Sequence, residues 1–226
     1  MSTHLALPRV GHLEQLFQVF GYLKEKPKRK IAFDPDHPFI DDQRFKKHNW
    51  YDFYPDAKEA ITGYMHPPRW NSVTTNCFED ADLSGNTVTR RSQTGILIFV
   101  NRDPIIWHSK RQNTVEASTY GSDIVAINNA VELIEALRYK LRMSGVPIDR
   151  PTNIFCDNEA VTKNCSDPAS MLKKKHHSIV YHRNREAVAS GTCRITKEDT
   201  YTNLSYLFTK LLSQIIREYL MNKFTY

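Results

Sequence analysis

The chain contains no run of ~18 or more apolar residues, which excludes a membrane-spanning helix of the ordinary kind. Its start, Met1-Ser2-Thr3-His4, has no basic segment leading into an apolar core, so no secretory signal is expected. Cysteine is scarce: Cys77, Cys156, Cys165 and Cys193 are the four present, and none forms a Cys-x-x-Cys pair, which argues against a structural zinc site built on thiolates. Cys77, Cys156 and Cys193 fall in strand-like runs and are expected to be buried small hydrophobes in a reducing compartment. Internal repeats and low-complexity tracts are also missing. What remains is a chain of 226 residues, 40% hydrophobic and 25% charged, long enough for one domain with a real core, or one domain plus a fragment. The net charge of +6 and pI near 9.1 favour an anionic partner, for which nucleic acid is the natural candidate.

Periodicity predicts an amphipathic helix over 12–25, with Leu13, Leu16, Phe17, Phe20 and Leu23 on one face. The basic, proline-containing run 24–30 ends it and reads as a solvated loop or a phosphate contact. Residues 34–70 are rich in proline and aromatics, with no sustained period. Trp50, Tyr51, Phe53 and Tyr54 either stack on bases or pack this connector onto a neighbouring domain. His66-Pro67-Pro68 marks a plausible domain boundary.

From Asn76 the rhythm changes. Strands are predicted over 76–82, 95–100 and 105–109, close enough together for an antiparallel meander. A long helix follows, with Ile124, Ile127, Val131, Ile134, Leu137 and Leu141 as its apolar stripe, stopped by Gly145 and Pro147. Residues 153–156 read as a buried parallel strand. A helical stretch around Ala160 and Val161, a helix over 171–189, a strand over 192–196 and a last helix capped by Asn203 complete the order. That last helix would turn Leu204, Leu207, Phe208, Leu211 and Ile215 toward the core.

Three acidic residues stand out in this layout. Asp80 lies at the end of the first strand, Asp157 directly after Ile154-Phe155-Cys156, and Asp123 near the start of the long helix. Carboxylates at strand ends and on a facing helix can converge on a pair of divalent metals, which is the chemistry of phosphodiester hydrolysis. Taken singly, Asp80 and Asp157 could be turn formers, and Asp123 an acid favoured by the helix dipole. Asp82 reads as solvated or as a turn cap. His176 and His182 suggest a metal site only if further ligands join them.

Several motifs, in order, carry a family likeness. These are Glu79-Asp80-Ala81-Asp82-Leu83-Ser84-Gly85, Arg90-Arg91-Ser92-Gln93-Thr94-Gly95, the run from Pro104 to Gln112, Cys156-Asp157-Asn158, Lys173-Lys174-Lys175-His176 with Tyr181-His182-Arg183, and Asn203-Leu204-Ser205-Tyr206-Leu207-Phe208-Thr209-Lys210. Residues 76–212 resemble the ribonuclease H domain of Copia-type long-terminal-repeat retrotransposon polyproteins. Leu7 to His12 and the helix after them resemble the end of a reverse transcriptase thumb. The polymerase's Tyr-x-Asp-Asp motif is absent, so polymerisation by this chain alone is not expected.

The resemblance implies an α/β, ribonuclease H-like fold: a five-stranded mixed sheet, three antiparallel strands then two parallel, flanked by helices, with an N-terminal helical and irregular extension. It implies a thumb remnant at 1–33, a connector at 34–72, the ribonuclease H-like domain at 73–212 and a helical tail at 213–226. It further implies Mg2+, with Mn2+ possible, and hydrolysis of the RNA strand of an RNA/DNA hybrid. An upstream reverse transcriptase domain of the same polyprotein would be a partner. The expected location is cytoplasmic, in a virus-like particle, or nuclear, rather than secreted. Carried over residue by residue, the four metal-holding carboxylates fall on Asp80, Asp123, Asp157 and Tyr206. The likeness also assigns nucleic-acid contacts to Arg90, Arg91, Lys110, Arg111, Asn158, Lys173, Lys174, Lys175 and His176, although Lys173 to Lys175 also read as a solvated helix face.

Two departures from the family pattern bear on activity. Asp123 replaces Glu and is shorter by one methylene, roughly 1.5 Å. Tyr206 replaces the fourth Asp with a phenol of unperturbed pKa about 10, neutral near pH 7 and a poor magnesium ligand. Leu83 and Leu211 replace the family's Trp and Pro. The sequence thus supports an impaired nuclease, a non-catalytic hybrid-binding module or a decayed transposon remnant.

Overall fold

A computed structural model describes residues 9–31, 33–86, 88–173 and 175–225. Five strands form one sheet: β1 (Thr75–Ala81), β2 (Gln93–Val100), β3 (Asp103–Arg111), β4 (Thr152–Cys156) and β5 (Cys193–Lys197), in the order β3-β2-β1-β4-β5. β1, β2 and β3 are antiparallel neighbours, whereas β4 runs parallel to β1 and β5 parallel to β4. Three antiparallel strands followed by two parallel ones is the arrangement expected from the sequence.

Alternation along each strand sends residues to opposite faces of the sheet. Cys77, Ile96, Ile98, Ile154 and Ile195 face helix α2 (Thr119–Met143), which covers them with Ile124, Ile127, Val131 and Ile134. Leu97 and Phe99 face the other way and meet Leu204 and Leu220 from the C-terminal segment. Ser118 caps α2 by accepting from the Gly121 amide. Helices α3 (Glu159–Ser166) and α4 (Ser178–Ala189) complete the α2 side, α5 (Gln214–Met221) packs Ile216 and Leu220 on the opposite face, and α1 (Val10–Glu25) lies ahead of them in the chain with no buried residue. Among the described residues no helix is long and apolar enough to cross a membrane.

Two expectations need correction. Residues 171–173 are not helical; a 3-10 turn at Lys175–His177 leads into α4. The Arg185 guanidinium donates to the carbonyls of Asn164, Asp167 and Pro168, and the Tyr181 hydroxyl donates to that of Ser170. Acceptors held by side chains in this way fix an irregular loop. The last helix is likewise not continuous from Asn203: a 3-10 helix, Leu204–Phe208, is followed by a break and then α5. Asn203 does cap the 3-10 helix, but Leu211 and Ile215 are solvent-exposed, not core residues. The helix expected over 12–25 is present as α1, and its apolar stripe is left uncovered: Leu13, Phe17, Phe20 and Leu23 are all at least half exposed. Beyond α1, the Arg29 side chain holds this end of the chain to Glu218 and Asn222.

The segment ahead of β1 is fastened along its length to the sheet and helices. Phe45 is buried edge-to-face on Phe155, with the Arg194 guanidinium over its ring. Arg185 lies over the rings of Trp50 and Phe53, and the Tyr54 hydroxyl meets His182 Nδ1 at 2.7 Å. Glu59 accepts two hydrogen bonds each from Arg138 and Arg142 on α2, at 2.5–2.8 Å. Burial opposes the Glu59 charge, but the two guanidiniums outweigh it and hold its carboxyl at about 2. Its contribution to stability is therefore present above about pH 4.5 and lost as pH falls toward 2. Glu59→Gln leaves the buried Arg138 without its anion and is expected to cost about 3 kcal/mol, or a Tm fall on the order of 6–12 °C. An unchanged melting temperature would show that the clamp does not hold this segment.

Candidate active site

The site forms where the C-terminal ends of β1 and β4 meet the N-terminal part of α2. Alternation places Glu79 on the α2 face of β1 and Asp80 on the opposite face. Asp157 follows β4 and accepts from the Thr200 hydroxyl at 3.0 Å. Asp123 Oδ2 accepts from the Asn158 side-chain amide at 2.7 Å, while Asn158 Oδ1 caps α3 through the Ala160 and Val161 amides. Asp80 is buried; it accepts from the Thr209 hydroxyl, and its Oδ1 lies 3.5 Å from the Lys210 ammonium.

Gly95 explains how the C-terminal segment reaches Asp80. It pairs with Asp80 across β1 and β2, and a Cβ there would lie 2.7 Å from Thr209 Cγ2 and 2.8 Å from the Ser205 carbonyl. The bare backbone at 95 lets the 3-10 helix close over the strand. Asn203 fixes the same segment by donating to the Glu79 carbonyl at 2.8 Å.

The electrostatics are those of crowded anions. Burial, reinforced by the charges of Asp80 and Asp157, pushes the Asp123 carboxyl up to about 7, with the Asn158 hydrogen bond opposing. Burial, then the Asp123 charge, raises Glu79 well above the carboxylate range. Burial also raises Asp80, against the pull of Thr209 and Lys210. Asp123 Oδ1 is buried without a hydrogen-bond partner among the described residues, and both Glu79 carboxylate oxygens are buried with no partner beyond the neighbouring Cys156 thiol. Orphaned carboxylate oxygens beside further carboxylates form a hard oxygen donor set, which fits Mg2+ or Mn2+.

A raised carboxyl stabilises the fold fully below its ordinary pKa, and that contribution is lost as pH rises through the folded value. For Asp123 the window runs from about 4 to about 7, and Glu79, raised by burial as well, adds a loss in the same direction. In a chelator the protein is therefore expected to lose about 2–4 kcal/mol between pH 5 and 8, and a divalent cation should cancel much of that loss. Thermal melts across this range check it, and a flat profile in the chelator would contradict the crowding.

Tyr206 does not stand free at the position expected for a fourth carboxylate. Its half-buried ring packs against the cluster of Leu97, Phe99, Leu204 and Leu220, and the Lys210 ammonium sits 4.0 Å over it. Of the residues assigned to nucleic acid, Arg90 is exposed at φ +55° in the turn after β1, and Arg91 is half-buried beside it. Lys110 and Arg111 end β3, in register with Thr94 and Gln93 and so at the same end of the sheet as Asp80. Lys173, Lys175 and His176 are exposed ahead of α4; Lys174 lies outside the described residues. His182 is held by Tyr54 and is not brought together with His176. Asp82 accepts from the Gln93 amide and serves as a turn former.

Sequence reasoning passed over Glu79, Thr209 and Lys210. Glu79 had a signal: an acid in mid-strand, where the chain is otherwise suited to burial. The roles of Thr209 and Lys210 depend on the close approach at Gly95, which no spacing displays.

This strand order, with carboxylates at the ends of β1 and β4 and on the crossing helix, is the ribonuclease H-like fold. No family model matches the chain. By sequence it is similar to retrovirus-related Pol polyproteins of Arabidopsis thaliana: 29% identical over 145 residues to that from transposon RE2 and 30% identical over 144 residues to that from transposon RE1. Each match covers 64% of this chain and 10% of the polyprotein, so the chain corresponds to about a tenth of those relatives. The kinship with transposon polyproteins expected from the motifs is thus found. Among solved structures, LC11 ribonuclease H1 in complex with an RNA/DNA hybrid aligns with a TM-score of 0.46 at 11% identity, over 57% of this chain and 88% of that one.

Proposed function

We propose that this chain is the ribonuclease H-type part of a retrotransposon polyprotein and that it hydrolyses the RNA strand of RNA/DNA hybrids slowly. The observation that carries the reading is the gathering of Asp80, Asp123 and Asp157 at the sheet end, close enough for Asp80 and Asp157 to raise the Asp123 carboxyl, with Asp123 Oδ1 buried and unpartnered among the described residues. Asp80, Asp123 and Asp157 would hold Mg2+, or Mn2+ in its place. Such ions, when bound, activate water and neutralise charge gathering on the phosphodiester. The chain's own groups do the rest. Asn158 orients Asp123, Thr200 orients Asp157, and Thr209 orients Asp80. Arg90, Arg91, Lys110, Arg111, Lys173, Lys174, Lys175 and His176 would position the hybrid through its phosphates, and groove shape and 2′-hydroxyls would distinguish RNA. The shorter Asp123 and the phenol of Tyr206 account for the slow rate.

The extent of this domain at 73–212, with a thumb remnant at 1–33, a connector at 34–72 and a tail at 213–226, belongs to the same proposal, as does pairing with an upstream reverse transcriptase domain. The chain would work in the cytoplasm or nucleus. A second reading, a hybrid-binding module without cleavage, is favoured by one feature: the Lys210 ammonium already sits at Asp80 and partly neutralises the anions.

The deciding assay uses the purified chain and a hybrid labelled on each strand in turn. RNA-strand cleavage in Mn2+, weaker in Mg2+ and abolished by chelator, is the expected result. Cleavage of the DNA strand as well, or cleavage indifferent to chelator, would overturn the proposal. Salt-sensitive hybrid binding with no cleavage in either metal would leave the second reading in its place.

A further inference from the structure

We propose that Glu116, His176 and His177 form a second metal site, suited to zinc and independent of the carboxylate centre. Glu116 lies on the loop entering α2, and the two histidines sit in the 3-10 turn entering α4, some sixty residues further along the chain. One ligand atom from each of the three lies within 4.8 Å of the others. A tetrahedral ion bound at ~2.0–2.1 Å places its ligand atoms roughly 3.3 Å apart. Glu116 Oε2 and His177 Nε2 are already 3.5 Å apart, so only the exposed His176 ring has to swing to complete the set.

The surroundings are built rather than incidental. The Glu116 and His177 side chains are 9% and 5% exposed. The Thr114 hydroxyl donates to Glu116 Oε1 at 2.8 Å, orienting the carboxylate with Oε2 toward the histidine. The Tyr120 ring meets the His177 ring edge-on. Gly121 supplies the room: a Cβ there would stand 2.7 Å from Glu116 Oε2 and 3.1 Å from His177 Nε2. Two imidazoles and one carboxylate make the mixed nitrogen–oxygen donor set that suits zinc, while magnesium keeps to oxygen. Three protein ligands leave a fourth position on the exposed side of His176 for water or an outside donor. Bound there, the ion would staple the start of α2, which carries Asp123, to the start of α4 beside the lysine run.

The test uses the whole chain stripped by chelator and then held in excess Mg2+, so that the carboxylate centre is saturated. Zn2+ is titrated against a chromophoric chelator, and Co2+ is followed by its visible absorption, which is intense only in tetrahedral coordination. We expect a single tight zinc ion and intense Co2+ bands. His176→Ala, at an exposed position that leaves the fold intact by circular dichroism, should weaken zinc on the order of tenfold or more and remove the bands, and Glu116→Gln should do likewise. Asp80→Asn should change neither. Zinc affinity unaltered in both His176→Ala and Glu116→Gln, or lost in Asp80→Asn instead, would overturn the proposal and leave Glu116 and His177 as an ordinary polar pair.

Discussion

Tyr206→Asp should accelerate hybrid cleavage in magnesium by on the order of a hundredfold, the scale on which misplaced or missing positioning groups act. Position 206 is one lysine side chain away from the carboxylates: Lys210 lies 4.0 Å over the ring and 3.5 Å from Asp80. A phenol is a poor ligand for a hard cation, whereas a carboxylate at that position would pair with Lys210 and add a hard oxygen ligand. The substitution also strips an aromatic ring from the cluster of Leu97, Phe99, Leu204 and Leu220, at a stability cost of about 1–2 kcal/mol. Activity and stability should therefore move in opposite directions, which a general improvement in folding cannot imitate. A folded variant that cleaves no faster would free Tyr206 of responsibility for the slow rate.

Asp157→Asn should lower cleavage in manganese at least ~100-fold, since a metal's charge stabilisation is worth several kcal/mol. The half-buried Asp157 accepts one hydrogen bond, from Thr200, which the oxygen of an Asn amide can still accept. The fold should thus survive with its melting temperature little changed. Hybrid binding should hold or improve, because the change removes a negative charge that repels phosphate. Equal loss of binding and cleavage would point to structural damage, and unchanged cleavage would reduce Asp157 to a turn residue.

The strands were legible because each is short, bounded and alternating, and α2 because its isoleucines and leucines recur at the helical period over many residues. Leu204, Leu207, Phe208, Leu211 and Ile215 recur at the same period, yet the chain leaves the helix at Thr209. There, the Thr209 hydroxyl and Lys210 ammonium turn to Asp80, and Leu211 is left fully exposed. Long-range polar contacts overrode local propensity at the point where the site is assembled, as happens where function competes with regularity. Asp80, Asp123 and Asp157 could be named from their motifs. Glu79 showed only as an acid in mid-strand, and its importance comes from burial beside them. The histidines show the same limit: His176 and His182 look like a pair in sequence, but space puts His176 with His177 and Glu116 instead.

The most direct measurement is Mn2+ binding to the chelator-stripped chain, followed by electron paramagnetic resonance in wild type and in Asp80→Asn. If the acids of β1, α2 and the end of β4 grip divalent cations together, wild type will show saturable Mn2+ uptake that Mg2+ displaces, and the variant will lose it. Identical uptake by the two proteins would mean that these acids do not form a common cation centre.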